Sequence, residues 1–207
     1  MPRVNARERL LEAVIDHIAT RGISDLSLRE LAAAIGSSHR MLIHHFGGRE
    51  GLLVAVVQAV EQRQRDLLDT IIPDPAASPA DSMRAWWRHI SDPRLWPNER
   101  LFFELYGQAL QGRPGAVELL DGIVDAWLEP SATILAQLGF PDGPAAARLG
   151  VAVTRGLLLD LLATGDRAAV DAAMEVHIAV MQSYLDQSPS TGSRIGGGVT
   201  TRSTALQ

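Results

Sequence analysis

A chain of 207 residues is long enough for one or two domains with a buried core, and without a single cysteine it excludes disulfides and thiolate metal sites. Its 19 basic residues are all Arg and face 24 acids; the net charge of −5 argues against a protein that coats nucleic acid regardless of sequence. No apolar run approaches the ~18 residues of a membrane span, and the opening MPRVNARERLLEAV lacks the apolar core of a signal peptide; a cytoplasmic protein with no membrane partner is expected.

In chain order, the first helix is expected over 5–21, with Leu11, Val14, Ile15 and Ile18 as its apolar stripe. The segment 27–53, SLRELAAAIGSSHRMLIHHFGGREGLL, then reads as two short helices joined by a tight turn, followed by a loop and the start of another helix. Ser27 and Glu30 have capping-box spacing, in which the hydroxyl caps an early amide and the carboxylate reaches back. Leu28, Leu31, Ala32 and Ile35 recur at helical spacing, and Gly36 stops the helix because glycine enters the left-handed conformation without steric cost. Ser37 or Ser38 can cap the next helix, whose apolar side is assigned to Met41, Leu42 and Phe46. Its other side carries Ser38, His39, Arg40, His44 and His45, donors rather than acids, as a helix reading the major groove requires.

A long helix is predicted over 49–72, with Leu53, Val56, Val57, Val60, Leu67 and Leu68 on its apolar positions and Pro73 ending it. Beyond a proline-marked loop, helical stretches are expected over 80–91, 99–111, 116–138, 144–164 and 167–186, with no strand-period segment. Residues 187–207, rich in Ser, Thr and Gly, offer little to bury and are expected to be disordered. Charge follows the same division. Residues 1–51 hold seven Arg and six acids, whereas 52–207 hold twelve Arg and eighteen acids, as for a small reading head on an acidic body.

The order of motifs resembles the DNA-binding domain of the tetracycline-repressor (TetR/AcrR) family of transcriptional regulators. The residues that carry the resemblance are Arg21-Gly22 closing the first helix, Ser27 opening the second, the signature Leu42-Ile43-His44-His45-Phe46, and the pair Arg49-Glu50. Two positions depart from the pattern. Ser37 stands where a small apolar residue is usual, and Ile43 replaces an aromatic, most often Tyr, that commonly touches the DNA backbone in relatives. The resemblance implies an all-α fold: an N-terminal helix-turn-helix domain over 1–51, then a helical effector-binding and dimerisation domain over 52–186, about nine helices in total.

DNA-binding candidates are Ser27, Ser38, His39, Arg40, His44, His45 and Arg49. Arg40 is the side chain best suited to a bidentate contact with guanine, His45 and Arg49 lie where relatives grip phosphates, and Ser27, at a helix N-terminus, can offer its hydroxyl and backbone amides to another phosphate. The histidines do not form a metal set, because His39 and His44 are five apart and no carboxylate completes them. As implied by the family, Trp86, Trp87, His89, Trp96, Phe102, Phe103, Tyr106 and Trp127 are the candidates for an effector pocket suited to a small, largely hydrophobic ligand. Val151, Thr154, Leu158 and Leu161 on one C-terminal helix, with Val170, Met174, Ile178 and Met181 on the other, are the expected homodimer interface. Two heads would then address the half-sites of a palindromic double-stranded operator.

No catalytic residue and no cofactor is expected, since the chain has no Gly-rich phosphate loop and no GxSxG elbow. The function implied is a repressor released from its operator by a small molecule. Activation or co-repressor-dependent silencing on the same fold is the alternative, and an all-helical enzyme the remote one.

Overall fold

The computed structural model describes residues 5–21, 27–71 and 77–187. Among them are nine α-helices and no strand. The head is built from α1 (Ala6–Arg21), α2 (Leu28–Ala34) and α3 (His39–Phe46); α4 (Arg49–Ile71) leads out of it. The body comprises α5 (Pro79–Ile90), α6 (Trp96–Leu110), α7 (Asp125–Gln137), α8 (Gly143–Thr164) and α9 (Arg167–Gln187). The expected end of α4 at Ile72 and the expected disorder of the C-terminal tail lie outside the described residues.

Local chemistry explains most boundaries. Asn5 and Glu8 cap α1 reciprocally: the Glu8 amide donates to Asn5 Oδ1 at 2.9 Å and the Asn5 amide to Glu8 Oε2 at 3.1 Å. Asp92 caps a 3-10 turn at Pro93–Leu95 that runs directly into α6, so this helix starts three residues earlier than its apolar period suggests. The single helix expected over 116–138 is broken instead. A 3-10 turn at Val117–Leu120 is followed by Asp121 in an extended conformation and Gly122 at φ 73°, and α7 starts only at Asp125.

One hydrophobic core runs through the head and into the body. It joins Val14, Ile18, Leu31, Leu42 and Phe46 to Val56 and Val57 of α4, then to Leu101, Phe102, Leu105 and Ala109 of α6. Ala116, Leu119 and Ile123 complete it. The head expected over 1–51 therefore leans on α6 as well as on α4. A second core gathers Trp87, Ile90, Leu158, Leu161, Val170, Met174 and Ile178, where α9 packs against both α5 and α8. Arg84 links α5 to α9 through Glu175 at 2.8–3.1 Å in a forked geometry.

Two glycines mark close approaches. A Cβ at Gly51 would lie 2.1 Å from the Phe46 carbonyl oxygen, so the corner between α3 and α4 closes only without a side chain there. Gly115, at φ 82°, brings the loop after α6 against the first turn of α4, where an added Cβ would be 2.9 Å from Glu50 Cβ.

Candidate functional site

The first site is the outer face of α3. Ser38 caps the helix by accepting the Met41 amide at 3.2 Å, and Gly47 ends it in the left-handed conformation at φ 77°. With Leu42 and Phe46 fixed in the core, Ser38, His39, Arg40 and His44 are left in water. The helix contains no acid, and among the described residues Arg40 makes no ion pair, so its guanidinium is available to an external acceptor. Ile43 is 43% exposed on the same surface and offers an apolar contact where a hydrogen-bonding ring was expected from the family pattern.

Two assignments within α3 need correction. Met41, placed with the apolar side, is 38% exposed, because the core-facing direction is set by Leu42 and Phe46 and Met41 lies off it. His45, placed on the outer face, is half-buried. Its ring packs edge-on against His44 and Phe46, and Nε2 is buried with no hydrogen-bond partner among the described residues. Arg49 is half-buried at the start of α4, and Arg7 of α1 lies 5.1 Å over the Phe46 ring. Ser27 is exposed and completes the capping box: the Glu30 amide donates to its hydroxyl, while its own amide donates to Glu30 Oε2 at 2.8 Å. The Ser27 hydroxyl, which donates to Glu30 Oε2 at 2.7 Å, and then the Ser27 amide hold the Glu30 carboxyl below its ordinary pKa range.

The second site is a cavity of about 140 Å³ lined by residues of α4 to α9 and partly open to the surface. Of the eight residues expected to meet an effector, Trp86, Phe102, Phe103 and Trp127 line it. The other four are used elsewhere. Trp87 is buried in the second core and donates Nε1–H to Asp171 at 2.8 Å, and Trp96 donates to the Ser91 carbonyl at 3.1 Å. His89 Nε2 bonds Gln64 Oε1 at 2.8 Å, and Tyr106 stacks on Phe102, with ring centroids 5.5 Å apart.

The stripe expected to meet a second copy is also turned inward. Leu158, Leu161, Val170, Met174, Ile178 and Met181 are buried within the chain, and Val151 and Thr154 line the cavity. These positions repeat at helical spacing on the sides of α8 and α9 that face each other and α5, so intramolecular packing claims them. The outward sides carry a different apolar set: Leu149 and Leu159 on α8, Val176, Val180 and Tyr184 on α9.

Sequence reasoning missed the cavity's ionisable groups. Glu61 of α4 accepts Trp127 Nε1–H at 2.5 Å, and it lies 3.7 Å from Arg155 Nη2 and 4.0 Å from Arg65 Nη1. Burial raises the Glu61 pKa, against the opposing effects of the Trp127 hydrogen bond and the two arginines. Glu99 of α6 is only 7% exposed; burial, and then the charge of Glu61, push its carboxyl up to about 8, with Arg155 opposing. Arg155 donates to the Ile123 carbonyl at 2.9 Å and lies over Phe102 at 5.1 Å. A signal for these residues was present. Glu61 falls in register with Val57, Gln64 and Leu68, and Glu99 with Phe102, Phe103 and Tyr106, so each acid interrupts a stripe bound for the interior.

Comparison with known proteins bears on the head and on the fold. Residues 10–56 match the family model described as bacterial regulatory proteins, tetR family. The repressor Rv3405c of Mycobacterium tuberculosis, an HTH-type transcriptional regulator, is 31% identical over 115 residues, 55% of this chain and 56% of that protein. The chain thus spans about half the length of curated relatives such as this one. Among solved structures, a transcriptional regulator from Rhodococcus sp. Rha1 aligns with 89% of this chain and 100% of its own, with a TM-score of 0.71 and 20% identity, a likeness of fold. The multidrug binding protein EbrR, solved in complex with imidazole, aligns with 92% of this chain and 96% of its own, with a TM-score of 0.63 and 27% identity.

Proposed function

We propose that this chain, which belongs to the tetR family of bacterial regulatory proteins by its N-terminal helix-turn-helix, is a cytoplasmic transcriptional repressor that a small, largely hydrophobic molecule releases from its operator. The observation that carries this reading is the shared core. Phe102 is at once part of the cavity wall and part of the hydrophobic cluster that holds Leu42 and Phe46 of α3. A ligand that displaces Phe102 displaces packing on which the head rests. The kinship with a named repressor and with a multidrug binding protein supports the same direction of control.

In this reading, residues 1–51 are the reading head. Ser38, His39, Arg40 and His44 meet base edges or nearby phosphates in the major groove, and Ser27 and Arg49 approach the backbone. His45 contributes by holding the helix rather than by touching DNA. Two heads are joined in a homodimer through the outward sides of α8 and α9, where Leu149, Leu159, Val176, Val180 and Tyr184 are interspersed with the small residues Ala152, Gly156 and Ala179. Release requires that the ligand bind the DNA-free arrangement more tightly than the DNA-bound one; equal affinity would shift nothing.

The test is a mobility shift with genomic fragments, repeated at rising salt. A sequence-selective shift that weakens with salt is expected. Arg40→Ala should lose discrimination between operator variants, by roughly 1–3 kcal/mol, while the protein stays folded. Equal loss on every sequence would reassign Arg40 to phosphate, and no selective shift from the unaltered protein would remove the regulator reading.

A further inference from the structure

Within the cavity wall, one group is left over once donors and acceptors are matched. Glu61 has Trp127 Nε1–H and the nearby guanidinium of Arg155. Arg155 is committed to the Ile123 carbonyl, to Glu61 and to the face of Phe102. Glu99, by contrast, makes no hydrogen bond or ion pair among the described residues, although its carboxyl is buried and borders the open volume. The charged and titratable groups of the wall are Glu61 on α4, Glu99 on α6, Arg155 on α8 and His177 on α9. Burial lowers the His177 pKa, so this imidazole is not a standing cation. Arg65 stands behind Glu61, over the Trp127 ring at 5.6 Å and outside the lining.

The wall therefore holds two carboxyl groups against one guanidinium, with the unmatched acid beside aromatic rings. An anion would have to displace Glu61 from Arg155 and lie close to both acids. A neutral hydrocarbon would fill the volume but leave Glu99 without a partner, and a neutral hydrogen-bonding molecule would pair with the carboxyl without balancing its charge once ionised. A cation satisfies Glu99 and is attracted by the electron-rich ring faces around it. Size limits the rest of the molecule, because about 140 Å³ is close to the cavity volume that accommodates one benzene ring. We infer that the cavity takes a single-ring organic cation, its positive centre beside Glu99 and its ring among Trp86, Phe103 and Trp127. The inference rests on the reading of the cavity as a ligand site and assigns the ligand's chemical class. Since burial and Glu61 hold the free Glu99 carboxyl at about 8, a bound cation should also expel its proton at neutral pH.

Calorimetry on the full chain with three probes of similar size tests this: phenyltrimethylammonium, whose charge is independent of pH, neutral tert-butylbenzene, and phenylacetate. The ammonium ion is expected to bind at least about tenfold more tightly than the other two, and Glu99→Gln to erase that margin while leaving tert-butylbenzene unchanged. In the unaltered protein, cation affinity should rise by up to roughly tenfold per pH unit below the Glu99 pKa and then level off, with matching proton release in buffers of different ionisation heat. The release measurement needs no variant, so it decides even if Glu99→Gln folds poorly. Tight binding of tert-butylbenzene or phenylacetate in preference to the cation would overturn the charge class and leave the cavity reading standing. If none of the three binds, both are overturned.

Discussion

The recognition helix and the cavity wall use charged side chains in opposite surroundings. On α3, Arg40, His39 and His44 stand in water, where charge costs little and becomes valuable only when a phosphate or base edge arrives. In the cavity, Glu61 and Glu99 are withdrawn from water, and burial raises the pKa of both, with the charge of Glu61 adding to the rise at Glu99 and Arg155 opposing it. A surface group can thus be changed with little effect on folding, while a buried acid is coupled to stability, to pH and to whatever fills the cavity.

That contrast can be broken most forcefully at a residue that carries no charge at all. Gly51→Ala forces a methyl group into the Phe46 carbonyl, and the corner that aims α3 must open. A loss on the order of 3 kcal/mol or more is expected in denaturant unfolding, together with loss of DNA binding. An unchanged midpoint would show that the corner yields freely.

Glu99→Gln sharpens the other side. Because the folded pKa of about 8 is raised above the usual carboxylate value of 4.5, the Glu99 contribution to stability is fully present below about pH 4.5 and is lost as pH rises through about 8. The variant should therefore gain stability relative to the unaltered chain as pH rises, by on the order of 2–4 kcal/mol near pH 8, and gain little near pH 4.5. Parallel thermal unfolding curves across that range would contradict the buried acid. The smallest effect is expected at the head's surface. Ser27→Ala removes the α2 cap and should cost about 1 kcal/mol without a change in this pH profile, as measured by chemical denaturation.

The head was legible because its signals are local. Ser27 with Glu30, Gly36, Ser38 and the stripe through Leu42 and Phe46 each act within a turn or two, and each appears where the sequence places it. The body depends on which helix covers which face. Trp87 and Trp96 look like pocket rings in sequence, yet α9 lies over α5 and supplies Asp171 to one indole, while Ser91 occupies the other. On α8 and α9 both sides are apolar, so periodicity could not decide which set turns inward; packing against α5 settles it in favour of Leu158, Leu161 and Met174. His45 escaped for a related reason, since a helix of eight residues leaves its flanks ambiguous between core and solvent.

The double membership of Phe102 bears on how such a protein can change over generations. Trp86 and Trp127 border the cavity without joining or packing on the cluster that carries α3, so substitutions there can explore new ligands with limited consequence for the head. Any change in the size of Phe102 is judged twice, once by the ligand and once by the fold. Drift in specificity should therefore run along the tryptophan side of the cavity and stall at Phe102, where altered taste and a loosened head arrive together.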